Sequence, residues 1–276
     1  MNRTLNFQQI FNPGFVLLFI GMVWAIYSVP ALANAKTGES ASKFAHPISS
    51  GMAQNRRVEP PDRGTPPSGR GTGSRSGDCL QKPNHPPLTL LVGKEGFDQT
   101  VTPHPTFWVY IPYTSNEAPT GEFALQDEQG QEDLYRIQFQ LPSTPGIISV
   151  TPPETVPALS PGKSYRWYFE VNCSTRTTLR DPTPASVTGL VKRVAAPAML
   201  INELKEAGTP LQRAVSYAKH GFWFDSITEM GQLRLSQPQN EAVKQAWIDL
   251  LESEVELRSI ADQAIVGRIT ASSPLK

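Results

Sequence analysis

Tyr165, Trp167, Phe169, Val171 and Cys173 alternate with Arg166, Tyr168, Glu170 and Asn172. A period of two with one apolar face is the pattern of a strand buried on one side, and a chain that carries it must supply a second layer to cover that side. From residue 78 to 195 the surrounding sequence is punctuated like an antiparallel β domain. Its pattern predicts strands over 88–92, 106–113, 121–127, 133–141, 146–151, 164–173 and 186–194, with turns at 116–120, 128–131, 142–145 and 160–163.

Just ahead of the alternating strand stands Leu159-Ser160-Pro161-Gly162-Lys163-Ser164-Tyr165. This string resembles the turn into strand F of immunoglobulin- and fibronectin-like sandwiches, where a corner tyrosine bonds back to backbone a few residues upstream. The resemblance implies that role for Tyr165. It departs from antibody domains, because Tyr165 lies well before Cys173 rather than two residues ahead of it.

After Ala196 the period becomes helical, over a region expected at 196–262. Leu200, Ile201, Leu204 and Ala207 form one stripe closed by Gly208. Thr209 reads as the N-cap of a second helix, with Pro210 first inside it, Gln212 completing a capping box and Gly221 ending it. A third segment over 222–230 carries Trp223, Ile227 and Met230. A fourth, from about Pro238, carries Val243, Ala246, Trp247, Leu250 and Leu251. Each stripe is too short to stand alone, so these helices must pack on one another or on the sheets. The expected fold class is therefore mainly β with α: an antiparallel β-sandwich followed by a short C-terminal helical array, with a flexible tail over 263–276.

The first residues set the compartment. Arg3, an apolar run from Phe15 to Tyr27, Pro30 and the triplet Ala31-Leu32-Ala33 follow the plan of a secretory signal peptide, 1–33, cleaved after Ala33. The competing reading is an uncleaved anchor, since about 20 apolar residues can cross a bilayer. Residues 34–77 are mostly Pro, Gly, Ser, Thr, Arg and Asn, and they lack the apolar surface that would offset ordering entropy; the expectation is a disordered linker.

Cleavage would remove Arg3 and no acid, leaving one basic residue fewer than the 25 acidic ones. Near neutrality argues against a dedicated polyanion binder. The Arg/Gly stretch from Arg63 to Arg75 has no aromatic residue for a base to stack on, so no nucleic acid partner is expected.

Two cysteines, Cys79 and Cys173, are most simply a disulfide in an oxidising compartment, closing a loop of about 95 residues and stabilising the fold by roughly 4 to 5 kcal/mol. Two separate buried thiols are the alternative. The four histidines are scattered, and neither HExxH nor CxxC occurs, so no metal or cofactor is expected.

Three strings imitate catalytic signatures and fail on context. Gly64 to Gly71 has phosphate-loop spacing, but Arg70 and Gly71 replace the lysine and the magnesium-holding hydroxyl. Ser160-Pro161-Gly162-Lys163 and Lys36-Thr37-Gly38 copy motifs of penicillin-binding enzymes in the wrong order, the first of them on a turn. One polar cluster remains, Tyr217, His220, Asp225 and Glu229 around the junction of the second and third helices. The aromatic strings at Phe107-Trp108-Val109-Tyr110 and at 165–169 place rings on both faces of a sheet. Outward members, Tyr168 with Trp108 or Phe107, would make a platform for a glycan or a protein unless the helices cover that face.

The ordered strings Pro105-Thr106-Phe107-Trp108-Val109-Tyr110-Ile111-Pro112, Phe123-Ala124-Leu125-Gln126-Asp127-Glu128, Pro145-Gly146-Ile147-Ile148-Ser149-Val150, Gly162-Lys163-Ser164-Tyr165-Arg166-Trp167 and Trp247-Ile248-Asp249-Leu250-Leu251 resemble the cyanobacterial exported family known as domain of unknown function 928. The similarity spans about 63 to 260. Where that family has a tryptophan-tyrosine-aspartate string, this chain has Trp223-Phe224-Asp225, without the hydroxyl. The resemblance implies a bacterial envelope location, periplasmic or extracellular, and no particular activity. The expectation is a non-enzymatic interaction or structural module that binds an envelope protein or polysaccharide. Its candidate contacts are Tyr168, Trp108, Trp223 and Asp225, and the membrane is met only through an uncleaved signal segment. The alternative is an envelope hydrolase using Asp225 and Glu229.

Overall fold

The computed structural model describes residues 79, 82, 85–93, 97–173 and 185–269; the expected signal segment and linker and residues 270–276 of the expected tail lie outside them. The described part is mixed α/β. In chain order it runs β1 Thr89–Leu90, β2 Phe97–Thr100, β3 Phe107–Ile111, β4 Thr120–Asp127, β5 Asp133–Gln140, β6 Gly146–Val150, β7 Ser164–Asn172 and β8 Ala185–Arg193. Four helices follow, α1 Ala198–Glu206, α2 Pro210–Lys219, α3 Trp223–Ser236 and α4 Glu241–Glu252. A 3-10 turn over Val255–Ile260 leads to a last strand, β9 Ile265–Ile269. Among the described residues no helix is long and apolar enough to cross a membrane.

The strands form two sheets, ordered β1-β3-β6-β9 and β2-β8-β7-β4-β5. Neighbours are antiparallel except β2 with β8 and β6 with β9. Inner side chains of both sheets share one cluster, in which Phe107, Val109 and Ile148 meet Phe123, Trp167 and Phe169. The rings of Phe107 and Trp167 lie 4.8 Å apart, and those of Phe107 and Phe123 5.1 Å apart, within the range of favourable tilted aromatic pairs. Along β7, buried residues alternate with half-buried ones, as the period of two requires. Tyr165 accepts the N–H of Ser160 at 2.8 Å, the upstream bond expected of a corner tyrosine. Cys79 and Cys173 are joined in a disulfide, which ties residue 79 to the end of β7.

A second cluster lies on the other face of the four-stranded sheet. There Trp108, Tyr110 and Ile147 meet Trp223, Ile227, Met230, Trp247 and Leu250 of the helices. Every residue of β3 and β6 is buried, because an unbroken apolar run such as Phe-Trp-Val-Tyr-Ile needs cover on both faces. Trp108 is therefore not an outward platform. It lies under α3 and α4, 1% exposed, with its ring 5.8 Å from that of Trp247.

Helix α3 continues six residues beyond the expected end at Met230, through Gly231, and that glycine sets how closely it sits on the sheet. A Cβ at Gly231 would lie 2.4 Å from two atoms of the Trp108 ring. The chain after the helices also departs from the expected flexible tail, since 265–269 forms β9 beside β6. Gly146 makes room for it: φ there is +156°, and a Cβ would stand 2.7 Å from the Ala264 carbonyl oxygen. The segment 97–100, outside the expected strands, is strand β2.

Gly231→Ala should lower stability by about 1–2 kcal/mol, because overpacking against an indole outweighs the roughly 1 kcal/mol that alanine gains in a helix. Urea denaturation checks this; a midpoint at or above that of the parent would refute the close approach.

Candidate functional site

Helix α3 starts with three residues that each hold it by a different interaction. Trp223 donates its indole N–H to the Leu91 carbonyl at 2.9 Å. Phe224 turns into the inter-sheet cluster, edge-on to Phe107 and Trp167 at 5.5 and 6.2 Å between centroids. Asp225 accepts the backbone N–H of Val101 at 3.1 Å and the hydroxyl of Thr102, fixing the chain just after β2. An acid in the first turn also suits the positive end of the helix dipole.

These contacts frame a cleft of about 230 Å³. One wall is the chain leading from β2 into β3, with Thr100, Thr102, His104, Pro105 and Thr106, and with Thr151 just past β6. The other wall is Tyr217 of α2 and Phe224, Asp225, Thr228, Glu229 and Gln232 of α3. Positions 225, 228, 229 and 232 share one helix face by their three- and four-residue spacing.

The polar groups of the cleft are closely tied to their neighbours. Arg213 grips Glu229 with two nitrogens, each at 2.9 Å. Thr106 and Thr151 bond through their hydroxyls at 2.8 Å. Trp108 donates to the Thr228 hydroxyl at 3.3 Å. His104 Nε2 stands 2.9 Å from the Val156 carbonyl oxygen, and since a carbonyl only accepts, that nitrogen carries the proton. Burial pushes the Asp225 carboxyl above the usual aspartate range even though Thr102, Thr100 and Val101 bond to it. Burial, followed by the charges of Asp225 and Glu229, pushes the Tyr217 phenol up. Among the described residues no three His, Cys, Asp or Glu gather as a metal site.

Of the four candidate contacts, only Asp225 lines the cleft. Trp108 and Trp223 are buried in the cluster beneath the helices. Tyr168 is on the outer face of the five-stranded sheet, half-buried, with its hydroxyl on Glu170. The expected pairing of Tyr168 with Trp108 does not form, because the two belong to different sheets. Burial raises the Tyr168 phenol and the Glu170 carboxyl, which faces Glu122 across the β4–β7 ladder.

Three members of the predicted polar cluster, Tyr217, Asp225 and Glu229, do meet in the cleft. His220 instead stands 3.3 Å from Glu203 of α1. The opposite wall, from Thr100 to Thr106, has no signal of its own in the sequence.

Because folding raises the Asp225 pKa, its carboxylate form is disfavoured in the folded state. Stability from this group is present at acid pH and is lost as pH rises through the window that opens at the ordinary aspartate value. Asp225→Asn removes that dependence, so the substitution should cost less stability at pH 7 than at pH 3. Paired denaturation curves at the two pH values test this; a larger cost at pH 7 would contradict it.

The family model described as Domain of Unknown Function (DUF928) matches residues 70–265. No curated protein matches the chain.

Proposed function

We propose a function from one premise: this chain belongs to the DUF928 family, whose model matches more than half of it. The protein is an exported envelope component that acts by binding rather than by catalysis. Export is supported by the signal-like segment ending at Ala33 and by the disulfide between Cys79 and Cys173, a bond that persists in oxidising compartments.

The observation that carries the binding reading is the state of the two acids in the cleft. A general acid or base needs a carboxyl able to reach a substrate proton. Asp225 is spent on holding α3 to the chain after β2, and Glu229 is clasped by both Arg213 nitrogens. The cleft is thus a rigid polar surface. One observation favours the second reading, an envelope hydrolase: Asp225 and Glu229 line the same concavity.

The immunoglobulin- and fibronectin-like reading of the sheets belongs with this proposal, since such sandwiches commonly serve as envelope and cell-surface modules. It is supported by the order β8-β7-β4-β5 in one sheet, by the shared inner cluster and by the Tyr165 corner bond.

Intact mass of the protein recovered from its own envelope should correspond to a chain starting at Asn34 and lighter by two hydrogens for the disulfide. Affinity capture with that material should retain a specific envelope protein or polymer. Glu229→Gln should reveal no lost turnover on envelope polysaccharide. A cytoplasmic, uncleaved, reduced chain would defeat the export proposal, and polymer cleavage that vanishes in Glu229→Gln would favour the hydrolase.

A further inference from the structure

We propose that the cleft between α3 and the chain after β2 is a subsite for one ring of a neutral saccharide; this rests on the binding-module reading and names its ligand class.

An anion is disfavoured, because the Asp225 and Glu229 carboxyls stand on one wall of the cleft and Arg213, which is not part of its lining, is turned to Glu229. A cation is disfavoured too. Glu229 is compensated by Arg213, and Asp225 by the donors around it and by the helix start. A lipid or other apolar ligand would bury the Asp225 and Glu229 carboxyls of the wall against hydrocarbon, at a cost in desolvation.

What remains is a ligand whose groups both donate and accept. Gln232 offers an amide with both capacities, the paired threonine hydroxyls keep acceptor lone pairs, and a carboxylate gripped by one Arg keeps lone pairs for further donors. Saccharide hydroxyls are the complementary chemistry. The half-buried ring of Tyr217 gives an apolar surface on which the C–H face of a sugar rests. The volume, about 230 Å³, falls below the roughly 300–1,000 Å³ of drug-sized ligand pockets, so it suits one ring rather than a chain.

Ligand-observed saturation-transfer NMR on the disulfide-bonded protein, with glucose, N-acetylglucosamine and their β-linked tetramers as probes, tests the assignment. At least one probe should bind, and a tetramer binding better than its monomer would mark a polymer subsite rather than a free-sugar site. Gln232→Trp fills the cleft from an exposed position, so it should keep the parent's melting temperature and weaken binding at least tenfold. Binding to none of the four probes, or equal binding by Gln232→Trp, overturns the assignment. If it is overturned while envelope capture persists, the binding-module reading stands without this site; if capture is also absent, both fall.

Discussion

Phe107 and Trp108 are adjacent in the chain and bury their rings in different cores. Strand geometry sends neighbouring side chains to opposite faces, so β3 can be satisfied only as the middle of three layers. One face of β3 meets the five-stranded sheet and the other meets the helices. The helices are therefore not an appendage. Without them Trp108, Tyr110 and Ile147 would form an exposed apolar face, and fully burying side chains of this size is worth about 1.5–3 kcal/mol each.

The junction between helices and sheets concentrates at the start of α3. Trp223, Phe224 and Asp225 hold, respectively, a backbone carbonyl after β1, the inter-sheet core and the chain after β2. Three successive helical residues point in three directions, so they fix the helix against translation and rotation together. The cleft follows from that fixation, since its two walls are the helix face and the chain that Asp225 grips. A burial role for Phe224 also accounts for the absence of a hydroxyl there: its ring is 2% exposed and packs edge-on between Phe107 and Trp167.

What was legible in the sequence is what local physics decides. The alternation through β7, the corner at Tyr165 and the capping box of α2, with Thr209 and Gln212 exchanging bonds, are present as read. Gly221 ends α2 at a positive φ of 78°. What escaped depends on partners remote in sequence. Strand β2 has no periodicity of its own and exists because β8 offers a parallel neighbour. Gly231, just past the expected end of the third helix at Met230, is a contact surface for an indole. The wall of threonines becomes a wall only when α3 arrives opposite it, and nothing within 100–106 announces that encounter.

The position of β9 has a consequence for how the chain acquires its form. This strand lies beside β6, with Ile148 opposite Gly267, so a loop containing β7, β8 and all four helices is closed by the last described residues. Closing a long loop is slow, because its entropy is lost before the pairing rewards it. The sheet beneath the helices thus completes late, after translation has passed residue 269. Until then one edge of β6 stays open to strands of other molecules, which makes this interval the aggregation-sensitive stage in the life of the protein.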